Sequence, residues 1–147
     1  MYLDYNIKVR YAETDMMGVV YHANYLLYFE DARTSFLRDI GFPYEDMEEQ
    51  GFQAPLLSCE LHYRKPLKYG DTAVLRVCIS KSTRTRTVFT YFVYKLEDEI
   101  NYDDPYVWGI TEHCTVSNKD FKPINFKKIF PEAFAKYQEV LESPNLP

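Results

Sequence analysis

The chain has few of the residues that mark disulfide-bonded or metal-binding proteins. Its 147 residues include three cysteines, three histidines and five glycines. Cys59, Cys78 and Cys114 are odd in number, lie far apart and form no CxxC pair. This pattern argues against a disulfide framework or a zinc site and favours buried thiols in a reducing compartment. We therefore expect a cytoplasmic protein without a bound metal.

Two further absences exclude other classes of protein. No run of about 18 apolar residues occurs, and the N-terminus has no basic start followed by an apolar stretch, so we expect neither stable membrane insertion nor a signal peptide. The net charge of −5 also lacks the basic excess with which a general nucleic-acid binder displaces counterions. The sequence predicts no nucleic-acid partner.

Aromatic residues, by contrast, are abundant. They make up 17% of the chain, with 14 tyrosines and 10 phenylalanines. Tyr and Phe suit strands and interfaces, so the composition favours a sheet-rich and oligomeric protein. The length fits one domain, which we take to span residues 1–147.

A long helix is predicted between His22 and Ile40, because apolar residues recur there at spacings of three and four. The members of this stripe are Tyr25, Phe29, Ala32, Phe36 and Ile40. Gly41 stands where a left-handed C-terminal cap is expected, and Pro43 follows. A short C-terminal helix is predicted to begin at Pro131.

Alternation of apolar and polar residues predicts five strands. One precedes the long helix at residues 5–11, and four follow it as a meander near residues 57–63, 73–79, 88–96 and 106–116. One helix layer on one antiparallel sheet is an α+β architecture. Such a sheet leaves its other face and its edges uncovered, so we expect dimers that join sheets edge to edge.

The loop before the long helix carries the candidate chemistry. It contains Asp15 and Gly18, and His22 stands at the helix start. The unpaired N–H groups and partial positive charge of a helix N-terminus can hold an oxyanion. Asp15 could act there as a nucleophile or general base, which would suffice for acyl transfer at a thioester. Taken alone, however, an Asp before a helix is more often a turn or cap residue.

The motif that surrounds Asp15 is longer than these three residues. The run E-T-D-x-x-G-V-V-Y-H-A-N-Y at residues 13–25, followed by E-x-A-R at residues 30–33, resembles the 4-hydroxybenzoyl-CoA thioesterase family of hot-dog proteins. Within that family it is most similar to the bacterial acyl-CoA thioesterase branch associated with the Tol–Pal system. The resemblance extends over roughly residues 5–125. It implies a hot-dog fold, in which an antiparallel sheet of about five strands wraps around one long central helix.

The resemblance also implies roles for residues of the motif. Asp15 falls on the catalytic carboxylate, Gly18 on the loop glycine, and His22 where a backbone N–H faces the thioester carbonyl. Asn24 and Tyr25 match positions that shape the site. The 4-hydroxybenzoyl enzyme has Tyr where this chain has His22, which argues against 4-hydroxybenzoyl-CoA as the substrate. Whether Asp15 is base or nucleophile, and whether the His22 side chain takes part, stays open.

The family binds coenzyme A at a subunit interface, and cationic side chains and backbone N–H groups suit its phosphates. The predicted contacts are Arg64, Lys65, Arg84 and Thr85. The resemblance implies a homodimer or homotetramer, and no cofactor apart from the coenzyme A of the substrate. We expect Glu30 to pair with Arg33 along the helix, and Glu13 to be a loop residue.

Hydrolysis of an acyl-CoA is the leading hypothesis. A second enzyme hypothesis is a thioesterase that acts on acyl carrier protein, whose acidic surface would meet the same basic residues. A third hypothesis is a non-catalytic hot-dog module that binds acyl-CoA without turning it over. A hot-dog dehydratase fits less well, because such sites pair an acid and a His in a different arrangement.

Overall fold

The computed structural model describes residues 1–147 and shows a five-stranded antiparallel sheet with a long helix on one face. The strands are β1 (Leu3–Lys8), β2 (Phe52–Gln53), β3 (Leu56–Tyr63), β4 (Thr72–Ser82), β5 (Thr87–Lys95), β6 (Val107–His113) and β7 (Val116–Ser117). The α-helices are α1 (Tyr25–Asp39), α2 (Tyr44–Glu49), α3 (Phe126–Ile129) and α4 (Pro131–Glu139), and 3-10 turns occupy Tyr11–Glu13 and His22–Asn24. The predicted α+β architecture is confirmed, and α4 begins at the predicted Pro131.

The strand order differs from the predicted meander. The order in the sheet is β1-β4-β5-β6-β3, so only β4, β5 and β6 follow one another as hairpins. β3 pairs with β6 at the edge opposite β1. The prediction of four consecutive neighbours was wrong because alternation identifies a strand without saying which strand it pairs with. β2 and β7 form a separate two-stranded pair that the sequence did not indicate.

The core lies between α1 and the inward face of the sheet. All five residues of the predicted helix stripe are buried, with at most 7% of each exposed. The inward residues of β4 are fully buried as well: Ala73, Leu75, Val77 and Ile79. Burial of one large apolar side chain contributes about 1.5–3 kcal/mol, so this contact accounts for much of the stability of the fold. Gly41 ends the helix with a φ of +91°, as its position predicted.

The contact between α1 and β6 is unusually close at one point. Phe29 stacks on Tyr91 with ring centroids 4.3 Å apart. A Cβ atom on Gly109 would lie 2.6 Å from Cε2 of Phe29 and 2.6 Å from the backbone oxygen of Glu60. Only glycine leaves room for this approach, so Gly109 sets the separation between helix and sheet.

Part of the outer face of the sheet is covered by the chain itself, which corrects the expectation that this whole face is open. A small apolar cluster lies there, formed by Val74, Phe92, Tyr94 and Trp108. Residues of the loop between β5 and β6 fold over it. The Tyr94 hydroxyl donates to the backbone oxygen of Tyr102 over 3.0 Å, and the Arg76 guanidinium lies 3.7 Å from the Tyr102 ring centroid.

The three cysteines are free, but only two of them are buried. Burial raises the pKa of the Cys78 thiol to about 12. Cys59 is exposed on β3, because an edge strand has no neighbour to cover it. The expectation of three buried thiols was therefore wrong at this position.

None of the helices is long and apolar enough to cross a membrane.

Candidate active site

The loop that carries Asp15 is fixed by backbone hydrogen bonds. The Asp15 N–H donates to the oxygen of Val19 over 2.9 Å, and the Gly18 N–H donates to the oxygen of Asp15 over 2.9 Å. Gly18 has a φ of +77°, a conformation that glycine adopts without strain. On the Asp15 side chain, Oδ1 accepts from the Met17 N–H over 2.8 Å. The other carboxylate oxygen has no hydrogen-bond partner within the chain and can meet a ligand.

Glu13 anchors this loop to the helix. Its carboxylate accepts hydrogen bonds from the Arg10 N–H over 2.8 Å and from the Tyr28 hydroxyl over 3.0 Å. Its backbone oxygen accepts from the Asn24 side chain over 2.8 Å and from the Tyr21 N–H over 2.9 Å. Burial raises the pKa of Glu13, but the hydrogen bonds from Arg10 and Tyr28 outweigh it and hold the pKa below its usual value. Glu13 was expected to be an ordinary loop residue and is a buried anchor.

The helix start faces the same loop. His22 opens a 3-10 turn that runs directly into α1, and the first N–H groups of a helix have no acceptor within it. No loop hydrogen bond uses the N–H of His22 or Ala23. The His22 oxygen accepts from the Tyr63 hydroxyl over 3.0 Å, which ties the helix start to β3. The N–H of His22, the donor that the motif indicated, and that of the adjacent Ala23 are therefore without a loop hydrogen-bond acceptor in the chain.

One open groove of about 300 Å³ collects most of the predicted site residues. Its lining includes Asp15, His22, Tyr25, Arg64 and Lys65. Burial raises the pKa of Tyr25 to about 12, so its phenol stays protonated at neutral pH. Gly18 lies in the turn beside the groove, and Asn24 points away from it to anchor Glu13.

The two cations of the groove share one acid. Nη2 of Arg64 lies 3.5 Å from Oδ1 of Asp104, and Nζ of Lys65 pairs with Oδ2 of the same residue. Lys65 and Arg64 lower the pKa of Asp104, which stays ionised and offsets part of their charge. The groove is therefore less cationic than the sequence suggested.

Arg84 and Thr85 lie away from this groove. They occupy the turn between β4 and β5, beyond Ser82, whereas the Asp15 loop contacts the segment that precedes Thr72. The length of β4 separates the two places by roughly 33 Å. A single chain does not bring Arg84 and Thr85 to the groove.

A second cavity, of about 240 Å³, was not indicated by the sequence. It lies between the second half of α1 and the inward faces of β5 and β6. Arg33 lines it and donates to the Tyr91 hydroxyl over 3.1 Å, so the predicted pairing of Arg33 with Glu30 was wrong. The pKa of His113 is lowered to about 4, mainly by burial and to a smaller extent by the positive charge of Arg33. In the sequence, this cavity could have been predicted from two polar residues at inward positions of β6, Thr111 and His113.

Comparison with known proteins places the chain in a family. The sequence matches the Thioesterase-like superfamily over residues 9–123. It is 41% identical over 133 residues to YneP of Bacillus subtilis, provisionally named an acyl-CoA thioesterase, and this match covers 90% of the chain and 93% of YneP. It is 29% identical over 94 residues to the acyl-CoA thioester hydrolase YbgC of Escherichia coli O6:H1, covering 64% of the chain and 70% of YbgC.

A solved structure agrees with these relatives. The DHNA-CoA thioesterase of Staphylococcus aureus superposes with a TM-score of 0.87 at 34% identity, over 94% of this chain and 89% of that one. The fold predicted from the motif is confirmed by this likeness and by the observed five-stranded sheet and central helix. The chain therefore belongs to the thioesterase-like superfamily, and it is a thioester hydrolase with the hot-dog fold.

Proposed function

We propose that the chain hydrolyses an acyl-CoA thioester to a free carboxylic acid and coenzyme A, with Asp15 and the helix start at His22 as the reacting centre. One observation carries this proposal. Asp15 and His22 line the same groove, and one oxygen of the Asp15 carboxylate has no partner within the chain. An acid with a free oxygen in the same groove as unpaired helix N–H groups suits acyl transfer at a thioester.

In the proposed mechanism the thioester carbonyl accepts hydrogen bonds from the N–H groups of His22 and Ala23. These donors stabilise the oxyanion that forms when the carbonyl carbon is attacked. Asp15 either takes a proton from the attacking water or attacks the carbon itself to give an anhydride that water then cleaves. In both routes the C–S bond breaks, and the coenzyme A thiolate leaves and is protonated. The ring of His22 is exposed and the residue lines the groove, so the ring is accessible to a bound thioester.

Coenzyme A is the carrier that the relatives favour. YneP and YbgC carry names that refer to acyl-CoA, and the S. aureus relative is named for DHNA-CoA. Lys65 and Arg64 stand at the groove, where they can meet a pantetheine arm or a phosphate. Arg84 and Thr85 can join the site only if a second copy brings their turn to the groove. Acyl carrier protein is the alternative carrier.

Several finer expectations stay predictions. Support for an edge-to-edge dimer comes from β3, whose free edge exposes about half of the Leu56, Leu57 and Tyr63 surfaces. A homotetramer built from such dimers, closer kinship with the Tol–Pal-associated branch, and a cytoplasmic location are also proposed. The motif at residues 13–25 supports the kinship, and the free thiols support the location.

The test is the hydrolysis of an acyl-CoA panel by wild-type protein and by Asp15→Asn, measured as thiol release. The panel should include short, long and aromatic acyl groups together with DHNA-CoA. Loss of a positioned acid or base is expected to lower turnover by at least about a hundredfold. Asp46→Asn, which removes an exposed acid on α2, is the matched control and should leave turnover unchanged.

Three other results would contradict parts of the proposal. Near-normal hydrolysis by Asp15→Asn would remove Asp15 from the mechanism. Hydrolysis of acyl carrier protein thioesters but not of acyl-CoA would establish the alternative carrier. Tight acyl-CoA binding without any thiol release would indicate a binding module.

A further inference from the structure

The loop between β5 and β6 is strongly acidic where it passes the Asp15 groove. Residues 97–104 contain five carboxylates and no cation. These acids are Glu97, Asp98, Glu99, Asp103 and Asp104. Glu97 pairs with Lys95, and Asp98 accepts from the Tyr106 hydroxyl. Of the five, Asp104 is the acid that pairs with cations of the groove.

Asp104 holds both groove cations at once. Its Oδ1 lies 3.5 Å from Nη2 of Arg64, and its Oδ2 pairs with Nζ of Lys65. Nζ of Lys65 also lies 3.4 Å from the backbone oxygen of Asp104. Lys65 lines the groove and also a recess of about 80 Å³ that the acidic loop borders. Each oxygen of the Asp104 carboxylate is thus engaged by a cation that a ligand in the groove could use.

Other contacts keep the acidic loop in place. The Tyr94 hydroxyl donates to the backbone oxygen of Tyr102 over 3.0 Å, and the Arg76 guanidinium packs on the Tyr102 ring. The Asp104 N–H donates to the backbone oxygen of Asn101 over 3.0 Å. None of these contacts uses the Asp104 carboxylate. This carboxylate can therefore lose its cations, or be replaced by an amide, while the loop keeps its conformation.

The ion pairs of Asp104 are open to replacement by a stronger anion. The side chains of Arg64, Lys65 and Asp104 are each about 40% exposed, and ion pairs in contact with water are weak. A phosphate monoester carries a charge of about −1.5 to −2 and three acceptor oxygens, more than a carboxylate provides. Guanidinium and ammonium groups form strong charge-assisted hydrogen bonds with phosphate. A phosphate that enters the groove therefore meets cations that it can take from Asp104, but it must first break their pairs.

We infer that Asp104 competes with the phosphates of the carrier for Arg64 and Lys65, and thereby lowers the affinity of the groove for phosphate-bearing carriers. An uncharged pantetheine arm does not compete with Asp104, so its binding does not depend on this residue. Free coenzyme A carries the same phosphates as the substrate, so Asp104 also weakens product binding. This inference rests on the proposed acyl-CoA hydrolysis and names a residue that sets carrier affinity at the same site.

The first test compares ligands with and without phosphate. Binding of free coenzyme A to wild-type protein and to Asp104→Asn is measured by isothermal titration calorimetry. Removal of the competing carboxylate should lower the Kd for coenzyme A about three- to tenfold, as the strength of exposed ion pairs indicates. In thiol-release assays, the KM for an acyl-CoA and the inhibition constant of coenzyme A should fall by a similar factor. The KM for the same acyl group on pantetheine should stay unchanged.

Asp103→Asn is the matched control. It removes one negative charge from the neighbouring position of the same loop, but Asp103 is exposed and pairs with no cation. Its affinity for coenzyme A should equal that of wild type. Equal tightening by Asp103→Asn and Asp104→Asn would assign the effect to the overall charge of the loop and would overturn the inference.

The second test measures the coupling between Asp104 and one of its cations. Asp104→Asn is introduced into wild type and into Lys65→Met, and the Kd for coenzyme A is compared within each pair. Competition predicts a smaller gain in the Lys65→Met background, because one of the contested cations is absent there. An undiminished gain would show that Asp104 acts elsewhere and would overturn the inference. Urea midpoints establish that each variant is folded before its affinity is compared.

The outcomes also separate this inference from the proposed function. If Asp104→Asn leaves coenzyme A affinity unchanged or weakens it, Asp104 is not a competitor, and acyl-CoA hydrolysis is unaffected by that result. A lower kcat with unchanged KM would likewise contradict competition, since it would make Asp104 a positioning residue. Wild-type protein that hydrolyses no acyl-CoA would refute the proposed function, whereas the coenzyme A titration would still decide the role of Asp104.

Discussion

The hydrogen bonds of Glu13 allow a quantitative test of how the site loop is held. Glu13→Ala removes the acceptor of three hydrogen bonds, from the Arg10 N–H, the Arg10 guanidinium and the Tyr28 hydroxyl. Arg10 is largely exposed, so water can replace its lost partner and its ion pair contributes only about 0–1 kcal/mol. Tyr28 is 1% exposed, and leaving its hydroxyl unpaired costs about 1–3 kcal/mol.

With the smaller losses at Arg10, Glu13→Ala is expected to lower the free energy of unfolding by about 3 kcal/mol. For a chain of this size, that corresponds to a decrease in Tm of about 6–12 °C. Tyr28→Phe removes the same hydroxyl but leaves Glu13 bound to Arg10, so its cost should be smaller, at about 1–2 kcal/mol. The double variant should cost less than the sum of the single variants by about 1–2 kcal/mol, since no hydroxyl is then left unpaired.

The measurement is urea unfolding followed by intrinsic fluorescence, at one protein concentration because oligomerisation contributes to apparent stability. Glu13→Gln serves as the control that keeps an acceptor near Tyr28, and it should fall between wild type and Glu13→Ala. Additivity of the two single variants within about 0.5 kcal/mol would refute the coupling of Glu13 to Tyr28.

Three further predictions follow from the structure. Gly109→Ala places a Cβ atom 2.6 Å from Phe29 and 2.6 Å from the β3 backbone. This overlap should lower the free energy of unfolding by about 1–3 kcal/mol in the same urea assay. An unchanged urea midpoint would contradict the close contact. In the folded state the pKa of His113 is lowered to about 4, so between pH 6.5 and 4 the unfolded chain binds a proton that the folded chain does not. The free energy of unfolding should therefore fall as the pH falls through this window, and His113→Asn should reduce that fall. An equal dependence of stability on pH in wild type and variant would contradict this prediction. Cys59 is the exposed thiol and lies near the middle of β3, so a short bismaleimide should cross-link two chains through it. Cys59→Ser should abolish the cross-linked dimer. Wild-type protein that stays monomeric after this treatment would count against pairing through β3.

Much of the fold followed from periodicity in the sequence. The stripe from Tyr25 to Ile40 predicted α1 and its buried side, because a helix that covers a sheet must repeat apolar residues every three to four positions. Gly41 and Pro131 marked helix ends through backbone geometry that other residues do not share. The order of residues around Asp15 indicated the family, since a loop acid, a loop glycine and a helix start are adjacent along the chain.

Partners that are distant in sequence could not be predicted in the same way. Alternation found β3 but placed it beside β4, because strand pairing depends on how chain segments cross rather than on local pattern. The exposure of Cys59 follows from that edge position. Arg84 and Thr85 looked like neighbours of the site from their charge and hydrogen-bonding groups alone, yet the length of β4 separates them from it in one chain.

The sequence by itself determined which residues could carry chemistry, because residue type and local backbone conformation are encoded locally. Asp15, Gly18 and His22 could be named from the motif before any contact was known. The tertiary structure decided what surrounds them: Glu13 as a buried anchor, Asp104 as the partner of Arg64 and Lys65, and the Arg33 cavity at the other end of β3. Burial and charge pairing arise only when distant segments pack together, and these determine which ionisable groups remain free to act.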